Sequence, residues 1–334
     1  MTVLSSEIKL FKPVEVSDLA TNGGELGPTQ IVSNVANNVF PDVSESQRDA
    51  GDISYRKLFV KVENPSQEAL QNTFLYLEQV TPGDDMVTIF AGTQEDIQGD
   101  ITTDGETDTE THYGVGTLDS TIPAGATSID VLVEDAAAET IFRANDKIRI
   151  SDIPNLGAAG NEEIRIIDTV SYAGNVATIA FANALANGYS AADTHVSSAL
   201  PVFDIVAGFS GFSVASAGNG DYNSSNLTLD SVGTVQDQWT VTFTDGTNFD
   251  VVGDVTGAVG SGTVSGSFSP SNPDGGDFFT LGSAGWSGTF GSGDTVTFTT
   301  TPAAKSFWMK RNVPAGAAAI ASNLQRTLIR GESA

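Results

Sequence analysis

No cysteine occurs among the 334 residues, which excludes disulfides and thiolate-held metals. Only two histidines are present, His112 and His195, so a serine or threonine nucleophile would have almost no choice of imidazole base. No apolar run approaches the roughly eighteen residues that a membrane-spanning helix needs. The opening MTVLSSEIKLFKP also lacks the apolar stretch of a secretory signal. The expectation is a soluble chain with no membrane insertion that is not exported by the usual signal. Basic residues are scarce as well: 15 Lys and Arg stand against 42 Asp and Glu, a formal net charge of -27. Nucleic-acid binding needs clustered cations to displace phosphate counterions, so no nucleic-acid partner is expected.

The shortage of cations is uneven. Residues 166–304 contain neither lysine nor arginine but twelve aspartates, whereas residues 305–334 carry Lys305, Lys310, Arg311, Arg326 and Arg330. Two such regions belong to different structural units.

What is abundant is β-alternation bounded by Gly, Pro, Asn and Asp. In SYRKLFVKVENPS, Leu58, Val60 and Val62 share one face and Lys57, Phe59, Lys61 and Glu63 the other, until Asn64-Pro65 stops the strand. NTFLYLEQVTPGDDMVTIFAG supplies two strands joined through Pro82-Gly83, expected as neighbours in one antiparallel sheet, with a longer crossover as the alternative. Beyond residue 115, Ile129, Val131 and Val133 alternate inward, as do Ile148 and Ile150, which describes a small sandwich or barrel. ETIFRAND has room for one helical turn. In WTVTFTDGTNFDVVG, Trp239, Val241 and Phe243 point one way and Asp245-Gly246 suits a hairpin turn. TVTFT recurs at 240–244 and 295–299, two similar strands of one sandwich.

After Thr301-Pro302 the cations and large aromatics of the first hundred residues return. The expected fold class is therefore all-β, with several β-sandwich or barrel-like modules. Residues 1–113 plus 302–334 form a split N/C-terminal domain, and two β-domains are inserted in it, 114–203 and an Ig-like sandwich over 204–301.

Catalytic signatures are missing. There is no G-x-S-x-G elbow, GFSGF at 208–212 has the wrong spacing, and no phosphate-cradling glycine motif precedes a helix. A glycosidase needs only two carboxylates, but 42 acids offer too many pairs to single one out. The chain is not expected to be an enzyme. The pattern TTDGETDTETHYGVG places Asp104, Glu106, Asp108, Glu110 and His112 at alternate positions, a row able to attract Ca²⁺ or Mn²⁺. On a regular strand its members stand about 7 Å apart, too far to share one ion. The favoured reading is a solvated edge or domain junction that discourages aggregation, with no cofactor and Ca²⁺ as the ion to test. Trp239 and Trp286 could stack on a sugar, as could Phe307 and Trp308, but packing in a core or subunit interface is favoured.

The segment from Asn37 to Gly92 resembles a family of virion structural proteins of tailed bacteriophages and Mu-like prophages. Its marks are NNVFPDV at Asn37 to Val43, then Arg48, Ala50-Gly51 and YRKLFVKV at Tyr55 to Val62. FWMKRNVPAGAAA near the end and WTVTFT through GWSGTFGSGDTVTFTTTPA are similar to parts of the same family. The resemblance implies a tail or baseplate-region structural protein in the virion, synthesised in the host bacterial cytoplasm. Its partners would be other virion proteins and further copies of itself, as a trimer or hexamer. Candidates for subunit contacts are Tyr55, Arg56, Phe59, Phe307, Trp308, Lys310 and Arg311. The alternatives are an adhesion protein binding host-surface glycan and a capsid decoration protein. The resemblance carries over no catalytic residue.

Overall fold

Alternation leaves each strand one apolar row to bury, and a sheet forms where several rows meet. The computed structural model describes residues 2–105, 107–134, 140–154 and 157–333. The chain is all-β, in four antiparallel sheets and two short ribbons. Two short α-helices, Glu45–Ala50 and Gln98–Ile101, occur among the described residues. Ser44 caps the first: its hydroxyl accepts the Gln47 N–H at 3.2 Å, and the Gln47 side chain accepts the Ser44 N–H at 2.9 Å. No helix among the described residues is long and apolar enough to cross a membrane.

The first sheet has the spatial order Gly23–Ile31, Ile8–Glu15, Asp52–Val62, Ala304–Val313, Met86–Ala91. Distant parts of the chain meet in it, because Ala304–Val313 runs along Asp52–Val62 from Ala304 opposite Lys61 to Val313 opposite Asp52. A second sheet, Leu200–Ile205, Leu70–Leu77 and Thr327–Ser333, shares a core with it. Leu58, Val60, Leu75, Ile89, Leu200 and Phe307 meet there.

Two expectations change. Leu70–Leu77 and Met86–Ala91 are not neighbours, because the chain between them passes from the second sheet to the first. Their apolar rows then bury against each other across the core instead of lying side by side. The domain boundary at 203 also shifts, since Leu200–Ile205 pairs with Leu70–Leu77. Leu200, Val202 and Ile205 form an apolar row that this shared core covers.

The middle sheet has seven strands in the order Thr169–Ala173, Val176–Ala180, Ser128–Leu132, Val115–Leu118, His195–Ser198, Lys147–Ser151, Glu162–Ile166. Ile129, Val131, Val133, Ile148 and Ile150 all enter its core. In ETIFRAND, Glu139 lies outside the described residues and the rest forms no helix; Ile141 and Phe142 are core residues.

The last sheet runs Gly208–Ala215, Thr295–Thr301, Asp237–Phe243, Asn248–Gly253, Gly257–Thr263. The two TVTFT copies lie side by side in it, with Val241 opposite Val296. The ribbons Asp221–Tyr222 with Trp286–Ser287 and Leu227–Thr228 with Thr280–Leu281 contribute Tyr222, Leu227 and Leu281 to the same core. At the hairpin tip, Asp245 Oδ1 accepts the N–H groups of Thr247 at 2.7 Å and Asn248 at 2.8 Å, which closes the turn. This unit is tied to the first sheet, because Lys61 donates to the Val232 carbonyl at 2.7 Å.

Candidate functional site

The acidic row is not one regular strand. Glu106 lies outside the described residues. Asp104 is exposed and closes a turn, accepting the Thr107 N–H at 2.6 Å and hydroxyl at 2.9 Å. Glu110 is exposed. Asp108 and His112 instead turn inward, which corrects the solvated-edge reading for these two residues.

The Asp108 side chain is 1% exposed. Its Oδ2 accepts from the Tyr55 hydroxyl at 2.6 Å and from Lys310 at 3.0 Å. Its Oδ1 lies 2.7 Å from His112 Nε2 and accepts the Glu110 N–H at 3.1 Å. The other ring nitrogen of His112 lies 2.9 Å from Thr88 Oγ1, and Phe90 packs edge-on at 5.0 Å. Burial opposes charge on Asp108, but hydrogen bonds from His112, Tyr55 and Lys310 hold its carboxyl well below the usual carboxylate range. The cluster therefore binds the loop before the middle sheet to three strands of the first sheet. Among the described residues no group of three or more His, Asp or Glu is placed to hold a metal ion.

The seven candidates for subunit contact are also turned inward. Tyr55, Phe59, Phe307 and Trp308 are fully buried, and Arg56, Lys310 and Arg311 nearly so. Arg56 pairs with Asp18 at 2.6 Å, and Arg311 sits 4.6 Å over the Phe40 ring and donates to the Pro41 carbonyl at 3.0 Å. Trp308 Nε1 donates to Asp96 at 2.9 Å, and Asp96 also pairs with buried Lys57 at 2.6 Å. These side chains are engaged within the chain and offer no contact surface. The physical reason is that Asp52–Val62 is covered on both faces, by the shared core on one side and by residues such as Phe11, Gly24 and Asp96 on the other.

The tryptophans follow the packing alternative. Trp239 is fully buried and donates to Thr300 at 2.8 Å, while Trp286 packs among Tyr222, Phe243, Phe249 and Phe290. His195 is half-buried, and burial together with nearby Arg149 and Arg326 lowers its pKa.

A groove that no sequence motif announces lies where Phe74 and Tyr76 of the second sheet meet Lys147 and Ile164 of the middle sheet. Arg330, also on its wall, pairs with Glu162 at 2.5 Å, and Glu162 pairs with buried Arg149 at 2.6 Å. Its residues come from four separate stretches, so no local pattern could have marked it. Compared with protein-family models and with curated proteins, the chain matches none.

Proposed function

We propose that the protein is a non-enzymatic structural component of a tailed bacteriophage particle, in the tail or baseplate region, acting through subunit contacts. The observation that supports this is the convergence of the segments that carry the family resemblance. Phe40, from the NNVFPDV run, lies under the guanidinium groups of both Arg56 and Arg311, at 5.6 and 4.6 Å. The Arg48 carbonyl accepts the Gly316 N–H at 2.7 Å, which links the helix after that run to the VPAG turn. Tyr55 to Val62 lie beside the strand that holds Phe307 to Arg311.

The motif is thus a set of mutual contacts around one split core, and a part that works by shape needs such a core more than it needs a catalytic centre. In this reading the split domain is the assembly core, and copies meet through apolar groups left outside it. Leu19, Val32 and Val35 are such groups, all more than half exposed.

Immunogold labelling tests the proposal, using antibodies against the chain on particles of the phage that encodes it. Label at the tail end is expected. Label confined to the head would replace the proposal with capsid decoration, and absence of the chain from purified particles by mass spectrometry would end it.

A further inference from the structure

Lys57 and Asp96 meet in a closed site, their side chains 0% and 11% exposed. The Lys57 ammonium lies 5.1 Å from the centre of the Phe59 ring, and Trp308 Nε1 donates to Asp96 Oδ2 at 2.9 Å. Gly23, at the start of the edge strand, lets the backbone close over the pair. A Cβ there would stand 2.8 Å from the Asp96 carbonyl oxygen and 2.9 Å from the Trp308 ring. Gly24 fastens this cover, its N–H donating to the same carbonyl at 2.9 Å.

The hydrogen bonds of Lys57 do not go to the carboxylate. Nζ donates to the Gly24 carbonyl at 2.6 Å and to the main-chain carbonyl of Asp96 at 2.9 Å. Asp96 Oδ1 lies 2.6 Å from Nζ, yet it is buried and accepts no hydrogen bond, so the contact is short but misdirected for one. With two N–H groups held by carbonyls, the remaining position on Nζ is turned to the carboxyl group. The Cγ bonded to Oδ1 is then close to the roughly 3–3.5 Å of a near-attack arrangement. Burial lowers the Lys57 pKa, although Asp96, Glu95 and Glu25 act to raise it, which favours the neutral and nucleophilic amine. The buried pair Lys310 and Asp108 is built the opposite way. Lys310 donates directly to Asp108 at 3.0 Å, and His112 and Tyr55 help hold that carboxyl in its ionised form, which is a poor electrophile.

We propose that Lys57 and Asp96 become joined by an amide bond within the chain. A proton passes from the ammonium to the carboxylate, and the amine attacks Cγ. The Nζ–Cγ bond forms, the Cγ–Oδ1 bond breaks, and Oδ1 leaves as water with two of the three ammonium protons. The ion pair thus becomes a neutral amide with no other reagent. Trp308 Nε1–H points at Oδ2, where negative charge develops in the tetrahedral intermediate. The product replaces two buried charges by one neutral group and ties Asp52–Val62 to the loop before the helix Gln98–Ile101.

Intact mass spectrometry of the full chain, denatured after folding at neutral pH, tests it. The mass is expected to fall one water below that of the sequence. Trypsin should leave the bond after Lys57 uncut and release a branched product joining the peptides that hold Lys57 and Asp96. Lys57→Met, which keeps the side-chain length without the amine, should show no loss. Asp96→Asn, which keeps the shape and the carbonyl carbon, should lose ammonia in place of water, so the test stands even where Lys57→Met fails to fold. Full mass in the wild type would overturn the proposal. So would a water loss that persists in both variants, or one that maps to a succinimide at an Asp-Gly step such as Asp104-Gly105 or Asp245-Gly246 while trypsin cuts after Lys57.

Discussion

Asp52–Val62 and Asp237–Phe243 are each the middle strand of a five-stranded antiparallel sheet, yet they solve the same burial problem differently. The first is buried on both faces from Ser54 onward, and its buried residues include Arg56, Lys57 and Lys61. Each cation has a carboxylate partner: Asp18, Asp96 and Glu63 respectively. The second strand buries Trp239, Val241 and Phe243 on one face and leaves Gln238, Thr240 and Thr242 on the other, in a region without a single Lys or Arg. Thr240 and Thr242 lie opposite Thr297 and Thr295 across the sheet. A strand covered on one side needs only an apolar row and a polar ladder. A strand covered on both sides, carrying charge, must recruit its counter-charges from elsewhere in the fold, and the first domain is cross-linked as a result.

The largest expected effect comes from removing the partner strand. A chain ending at residue 303 lacks Ala304–Val313 from the interior of the first sheet and Thr327–Ser333 from the edge of the second, exposing the row around Leu58 and Val60. It should aggregate, whereas residues 207–301 expressed alone should be soluble and melt cooperatively by circular dichroism. The reverse outcome would mean that the last module, not the first domain, depends on the C-terminal strands.

Next is the buried charge. Asp108→Asn should cost about 3 kcal/mol or more in urea unfolding at neutral pH, because Lys310 and His112 lose their carboxylate inside the protein. The folded-state pKa of Asp108 lies below the unfolded value near 3.9, so its contribution is fully present above that value and is lost as pH falls through it toward the folded value. The gap between wild type and variant should therefore narrow on acidification below about pH 4. A gap that stays constant from neutral to acid pH would show that the cluster acts by packing alone.

The smallest effect belongs to the uncharged strand. Val241→Ala should cost about 2 kcal/mol from lost burial and the cavity left behind. Unfolding at several pH values should give the same loss throughout, since no titratable group is touched. A loss that varies with pH as Asp108→Asn does would erase the contrast between the two strands.

The amino-acid sequence by itself determined which residues share a face. Leu58, Val60 and Val62 face the shared core, Trp239, Val241 and Phe243 face another, and Asp245 sits at the turn where the hairpin reverses. These features depend on the two-residue period of a strand and on turn chemistry, which act over a few neighbouring positions. Only the tertiary structure decided what lies on the other face. The alternating acids looked equivalent, yet Asp108 is drawn inward because Tyr55, Lys310 and His112 converge on it, one of them 202 residues away. Tyr55, Trp308 and Arg311 read as surface contacts because alternation does not record whether a second layer covers a strand. The crossing at Pro82-Gly83 and the groove of Phe74, Tyr76, Lys147 and Arg330 were hidden for the same reason. Each depends on which distant segments the core brings together, and a local pattern carries no information about that.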